Sequence, residues 1–204
     1  MEKFKRFLIA MLENQIGVIQ GRLVPKYLGR YQAHPKNYWK DEFKIANKLG
    51  LDCIEFILDF NEADQNPLLN PDGIDEIRLI SEESGVQVKT ICADYFMEAP
   101  LHSEDLKVAL ESQKVITKLI NNASKLGVTD IVIPCVDKSS VNEKSIRSFV
   151  TQLSKVLEVA ENQKINLSLE TDLPPKTFLN LLESFDSNRV TVNYDIMEIV
   201  PLWL

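Results

Sequence analysis

"KLGLDCIEFI" occupies residues 48–57, and the reading of this stretch decides the fold. A helical segment ends at Gly50, where a helix C-terminus needs a left-handed residue, and a short apolar run begins at once. The same joint recurs as "ESGVQVKTIC" (83–92), "KLGVTDIVIP" (125–134), "NQKINLSLE" (162–170) and "SNRVTVNYD" (187–195). Gly50, Gly85 and Gly127 are thus αβ turns, and the segments between them carry helical periodicity. Leu110, Val115, Ile116, Leu119, Ile120 and Ala123 fall on one broad face, while Lys114, Lys118 and Lys125 point to water. The strands read as near-continuous apolar runs at 16–19, 53–57, 86–91, 130–134, 165–170 and 190–195. Such runs belong to a parallel sheet covered by helices, so the fold class is α/β. An open doubly wound sheet and a (β/α)8 TIM-type barrel that lacks its last two units both fit.

Composition narrows the function. The chain has 204 residues, 45% hydrophobic and 26% charged, with a formal net charge of −7, which is ordinary for a globular domain. Its basic residues are scattered among more numerous acids, which argues against nucleic acid and for a small ligand. Cys53, Cys92 and Cys135 are widely spaced in apolar runs and read as reduced core residues. The opening "MEKFKRFLIAML" stops short of a signal peptide because its apolar patch meets Glu13 and Asn14 without a cleavage pattern. No stretch approaches the ~20 apolar residues of a membrane span. The expected location is the cytoplasm, with no membrane partner.

Polar groups recur where the strands finish. They are Gln20 and Arg22, Glu55 and Asp59, Asp94, Asp137, Glu170 and Asp195. In a barrel these converge on one mouth, where such folds keep their chemistry. The sequence "GVIQGRLVP" lacks the G-x-G-x-x-G of a dinucleotide site. Arg22 and Arg30 suit a phosphate or carboxylate on a substrate. Tyr95 and Phe96 suit an apolar wall against a sugar, or core packing. His34, in "YQAHPK", reads as an exposed loop residue. His102 could line the pocket, with Ser103 after it as a cap of the next helix.

Taken in order, "IGVIQGRLVP", "KLGLDCIEFILD", "NPLLNPDGIDEI", "ICADYFMEAPL", "IVIPCVD" and "LSLETDLPP" resemble the sugar phosphate isomerase/epimerase family, with its xylose-isomerase-like TIM barrel. The resemblance covers roughly residues 14–196. It implies a metal-dependent isomerase or epimerase that moves a proton next to the carbonyl of a small sugar or sugar phosphate. It further implies a divalent metal (Mn, Mg, Zn or Co) held by carboxylates and a His from strands five to eight. By position, Glu170 resembles the first carboxylate ligand and the catalytic base, and Asp195 the second ligand. The family's His and final Glu have no counterpart here, so an incomplete metal site is expected. Gln20, Arg22, Glu55, Asp94, Tyr95 and His102 are the expected substrate-binding residues. The alternatives are an inactive barrel remnant and a metal-dependent hydrolase of the endonuclease-like kind.

The ending "VTVNYDIMEIVPLWL" (190–204) departs from relatives, which resume after the "NYD" strand with a turn of the type Ile-Gly-Asn-Ser. Reading "MEIVPLW" from the third base of the Met codon gives Gly, then codons compatible with Asn, Ser, Ala, Ala and Leu. Residues 197–204 are therefore expected to be an out-of-frame tail, 14–196 a partial barrel and 1–13 an N-terminal extension. A barrel missing two strands leaves two edges bare, and self-association through them is expected.

Overall fold

The computed structural model describes residues 15–195; the N-terminal extension and the tail assigned above to 197–204 lie outside the described residues. Six parallel strands run in sequence order: β1 (Gly17–Ile19), β2 (Cys53–Ile57), β3 (Gln87–Cys92), β4 (Asp130–Cys135), β5 (Asn166–Thr171) and β6 (Val190–Val192). Helices α1 (Trp39–Leu49), α2 (Pro71–Ser84), α3 (Tyr95–Glu98), α4 (Leu106–Leu126), α5 (Ile146–Ser154), α6 (Leu157–Gln163) and α7 (Pro175–Glu183) connect them. Each strand pairs with its sequence neighbour through a helical crossover, which is the winding of a partial (β/α) barrel. Among the described residues no helix is long and apolar enough to cross a membrane.

The joints form where the sequence places them. Gly50, Gly85 and Gly127 cap α1, α2 and α4 with φ of 73°, 74° and 73°. At the joint before β5 the left-handed residue is Lys164, with φ 58°; its side chain leaves no trace in the glycine pattern. Pro175 opens α7 at its first position, where a missing N–H costs nothing.

The strands alternate between two environments. Ile54, Phe56, Ile91, Ile131, Ile133, Leu167 and Leu169 are buried against the helices. They meet Trp39 and Phe43 of α1, Ile77 of α2, Ile116, Leu119 and Ile120 of α4, and Leu157 of α6 in one core. Burying each such side chain is worth roughly 1.5–3 kcal/mol. Leu110 departs from the expected face and is 61% exposed. On its turn of α4 the inward positions are Ala109 and Ser112, and the Ser112 hydroxyl donates to the carbonyl of Ala99 at 2.7 Å. Ser103 does not cap α4 either; Asp105 does, accepting from the Lys107 N–H.

Two glycines separate backbone strain from crowding. A Cβ at Gly50 would meet nothing within 4 Å, whereas at Gly73 in α2 it would lie 2.5 Å from the Cα and the carbonyl oxygen of Pro67. Gly50→Ala is expected to cost about 1 kcal/mol, the left-handed penalty alone, and Gly73→Ala about 2–3 kcal/mol, because backbone must move aside. Urea unfolding of the two variants checks the order; equal midpoints would contradict it.

Candidate active site at the strand ends

The inner face of the sheet, turned away from the helices, mixes polar groups with Ile57, Cys92 and Val132. The parallel register sets Glu55 beside Thr90, Thr90 beside Asp130, Asp130 beside Asn166, and Pro134 beside Glu170. A register shift between Ile54 and Glu55 brings Glu55 opposite Thr90, whose hydroxyl favours the ionised carboxylate. Lower on this face the side chains form a ladder. Arg189 donates to Asn166 at 3.0 Å, Asn166 to Asp130 at 3.0 Å, and Ser168 to Asp130 at 2.9 Å. Ser168 and Thr191 share a further bond of 2.8 Å.

Carboxylates gather above the ladder, at the C-terminal ends of the strands. The Asn193 Nδ2 donates to Glu170 Oε2 at 3.0 Å, fixing that carboxylate across β5 and β6. Burial raises the pKa of Glu55, with Asp94 and Asp195 adding to the rise and Thr90 opposing it. Burial likewise raises Asp94; the Cys92 thiol, Arg30 and Gln32 oppose the rise, and Asp59 adds to it. Cys92 donates to Asp94 Oδ1 at 3.1 Å, and its own thiol is pushed well up by burial and by Asp94, Glu55 and Glu170. Asp94, Glu55 and Glu170 thus all act on the Cys92 thiol, and Asp195 acts on Glu55.

The loop after β1 forms the rim. Asp59, nearly buried, accepts from the N–H of His34 at 2.8 Å and pairs with Arg30 at 2.9 Å. Leu28 and Gly29 both take positive φ, 49° and 81°, in a two-residue turn closed by reciprocal bonds between Tyr27 and Arg30. His34 is buried rather than exposed, tilted against Phe56 at 5.3 Å. Burial lowers its pKa to about 4. Its ring neighbour Phe56 lies on β2, beyond α1, which is why a polar loop reading misplaced it.

The other expected substrate-binding residues stand in different settings. Gln20 is fully buried on the helix side, its Oε1 accepting from the Ile57 N–H and meeting His34 Nδ1, both at 3.1 Å. Arg22 is exposed and donates to Gln32 at 3.3 Å. Tyr95 packs edge-on against Phe96 and tilted against Phe60. His102 packs edge-on against Phe149, its Nδ1 buried without a hydrogen-bond partner among the described residues.

Glu42 went unnoticed in the sequence. Its Oε1 accepts from the N–H groups of Gly21 at 2.7 Å and Leu23 at 3.3 Å, and its Oε2 is buried without a partner. Burial pushes its pKa up to about 7, against the pull of those two N–H groups. A signal existed: Trp39, Glu42, Phe43 and Ala46 share one helical face, all four buried. Asn193 also had a signal, lying two residues before Asp195 on a strand that alternates faces.

The family model of the xylose isomerase-like TIM barrel matches residues 43–202. The chain belongs to this family. Among curated members it is 26% identical over 136 residues to the L-ribulose-5-phosphate 3-epimerase UlaE of Escherichia coli (strain SMS-3-5 / SECEC), covering 65% of this chain and 48% of that protein. The chain thus spans about half the length of the curated relative it matches. D-psicose 3-epimerase from Clostridium cellulolyticum H10, solved with D-tagatose, superposes with a TM-score of 0.72 over 92% of this chain and 65% of that one, at 18% identity. A barrel protein of Mycobacterium smegmatis in complex with magnesium gives 0.66 over 93% and 67%, at 16% identity. Both share the xylose isomerase-like barrel fold with this chain.

Glu42 and His34 titrate with opposite consequences. Glu42, raised from 4.5 to about 7, keeps a proton in the folded state that the unfolded chain has lost, so its contribution to stability falls as pH rises from about 4.5 to 7. His34, lowered from 6.5 to about 4, makes stability fall as pH drops through that window. Glu42→Gln removes only the first effect. The variant should gain stability relative to wild type by on the order of 2–3 kcal/mol between pH 4.5 and 7.5, read as a changing difference in urea midpoint; a difference independent of pH would refute the assignment.

Proposed function

We propose that the strand-end carboxylates serve proton transfer next to the carbonyl of a small sugar or sugar phosphate, as an epimerase or isomerase. The observation that supports this most directly is Glu170, held at the end of β5 by Asn193 at 3.0 Å. A carboxylate so oriented can take the proton from the carbon beside the carbonyl and return it on the same face to the neighbouring carbon, which is isomerisation; epimerisation requires a second acid on the opposite face of the sugar. Glu55, toward the end of β2, and Asp94, just beyond the end of β3, suit hydrogen bonds from the hydroxyls of a bound sugar. The named activities of the relatives, epimerisation of L-ribulose 5-phosphate and of D-psicose, are of this reaction class.

A divalent cation would stabilise the same enediolate as a Lewis acid. Among the described residues no three His, Cys, Asp or Glu side chains converge on a metal position. Glu170 and Asp195 by themselves fall short of the three protein ligands of a catalytic zinc.

Deuterium wash-in tests it. Incubating the chain with L-ribulose 5-phosphate in D2O should place deuterium on a carbon adjacent to the carbonyl, followed by NMR. Glu170→Gln should slow exchange by about two orders of magnitude or more, and Asn193→Ala by a smaller factor. Exchange that survives Glu170→Gln would remove Glu170 as the base, and no exchange in the wild-type chain would remove the epimerase reading.

A further inference from the structure

A second cavity lies outside the mouth. It is a groove of about 450 Å3 between the segment that follows β2 and the exposed side of α4, within the size range of small-molecule sites. Phe60, Leu69, Tyr95 and Val115 form its apolar part. Tyr95 directly follows Asp94 in the chain, yet none of the strand-end acids lines the groove. Phe60 is 44% exposed, an aromatic ring left at the surface, and its centre lies 5.2 Å from that of Tyr95, tilted by 44°.

Two features distinguish this groove from a bare apolar patch. Tyr95 is only 7% exposed, and its hydroxyl has no hydrogen-bond partner among the described residues, whereas a buried phenol normally finds one. Burial, and then the charge of Glu111, raise the pKa of Tyr95, so the hydroxyl keeps its proton and can donate it. The second feature is the charge on the two lips. Glu111 pairs with Lys114 at 2.9 Å and Glu62 with Lys36 at 2.6 Å. Lys118 on α4 and Asp64 on the facing segment remain, both exposed and neither in an ion pair among the described residues. One lip thus offers a cation and the other an anion.

We propose that this groove is a second binding site and takes a zwitterion with an apolar body, namely an aromatic or large apolar α-amino acid. The ligand's carboxylate meets the Lys118 ammonium and accepts from the Tyr95 hydroxyl, while its ammonium meets Asp64. Its side chain lies over Phe60 and against Leu69 and Val115, where an aromatic ring gains from tilted ring contacts beyond the area it buries. A ligand with a carboxylate alone leaves Asp64 unmatched. One with an ammonium alone leaves Lys118 and the Tyr95 hydroxyl unmatched, so only the zwitterion answers all three groups. The site stands independently of the sugar chemistry proposed for the mouth.

Calorimetry on the full chain tests this with L-phenylalanine, phenylpropanoate and phenethylamine as probes. The amino acid is expected to bind saturably, and each analogue with a single charge about fivefold more weakly, the scale of one exposed ion pair. Lys118→Gln should bring L-phenylalanine down to the level of phenethylamine without weakening the amine. Asp64→Asn should bring it down to the level of phenylpropanoate without weakening the acid. Tyr95→Phe, which keeps the ring, should weaken both probes that carry a carboxylate and spare the amine. Lys118 and Asp64 are exposed, so their variants are expected to melt as the wild-type chain does. No saturable binding of L-phenylalanine, equal affinity for all the probes, or amino-acid binding untouched by Lys118→Gln and Asp64→Asn would overturn the proposal.

Discussion

The pairing of β4 with β5 fixes where everything else lies. Six consecutive pairs run unbroken from Asp130 with Asn166 to Cys135 with Thr171. Because side chains alternate along a strand, this register sends Ile131, Ile133, Leu167 and Leu169 to the helices and Asn166, Ser168 and Glu170 to the inner face. A slip of one residue would bury Glu170 in the apolar layer and expose the leucines, so the core itself enforces the position of the carboxylate. Strand β6 inherits the register by pairing Thr191 with Ser168. Two residues on, Asn193 reaches Glu170. The hydrophobic side of the sheet thereby determines the geometry of its polar side.

The same alternation explains how much was legible in the sequence. The joints at Gly50, Gly85 and Gly127 are local events, decided by one left-handed residue beside an apolar run, and the strands follow within a residue or so, except β6, which ends at Val192 rather than 195. Glu55, Asp94, Glu170 and Asp195 gather because parallel strands all finish on one side, a consequence of topology that needs no knowledge of contacts. What stayed hidden depends on partners distant in sequence. His34 is buried by Phe56 and Trp39 and tied to Asp59, 25 residues away. Gln20, grouped in the sequence with the strand-end acids, turns to the helix side because it falls on the opposite strand face from Ile19, which pairs with Glu55. Leu110 shows the limit of periodicity: six apolar positions define a face wider than the one that packs.

Glu42 shows why a buried charge can belong to a functional rim. Gly21 and Leu23 lie in a loop that has neither a helix nor a strand to accept their N–H groups, and an orphaned buried N–H costs about 1–3 kcal/mol. One carboxylate oxygen serves both. Its burial opposes ionisation, and the pKa near 7 records how closely the cost of desolvation and the gain from two N–H bonds compete. An apolar residue at position 42 would pack as well against Phe43 and Trp39 yet leave the loop's donors unsatisfied. The loop is thereby pinned at its base while its side chains remain at the surface. Beside it the inner face is crowded with carboxylates. Like charges there raise one another's pKa values, and the Arg30 guanidinium, itself anchored by Asp59, lowers Asp94 against that trend. The ion-paired rim and the acidic interior are thus two halves of one electrostatic arrangement, joined where Arg30 bonds Asp59 and acts on Asp94.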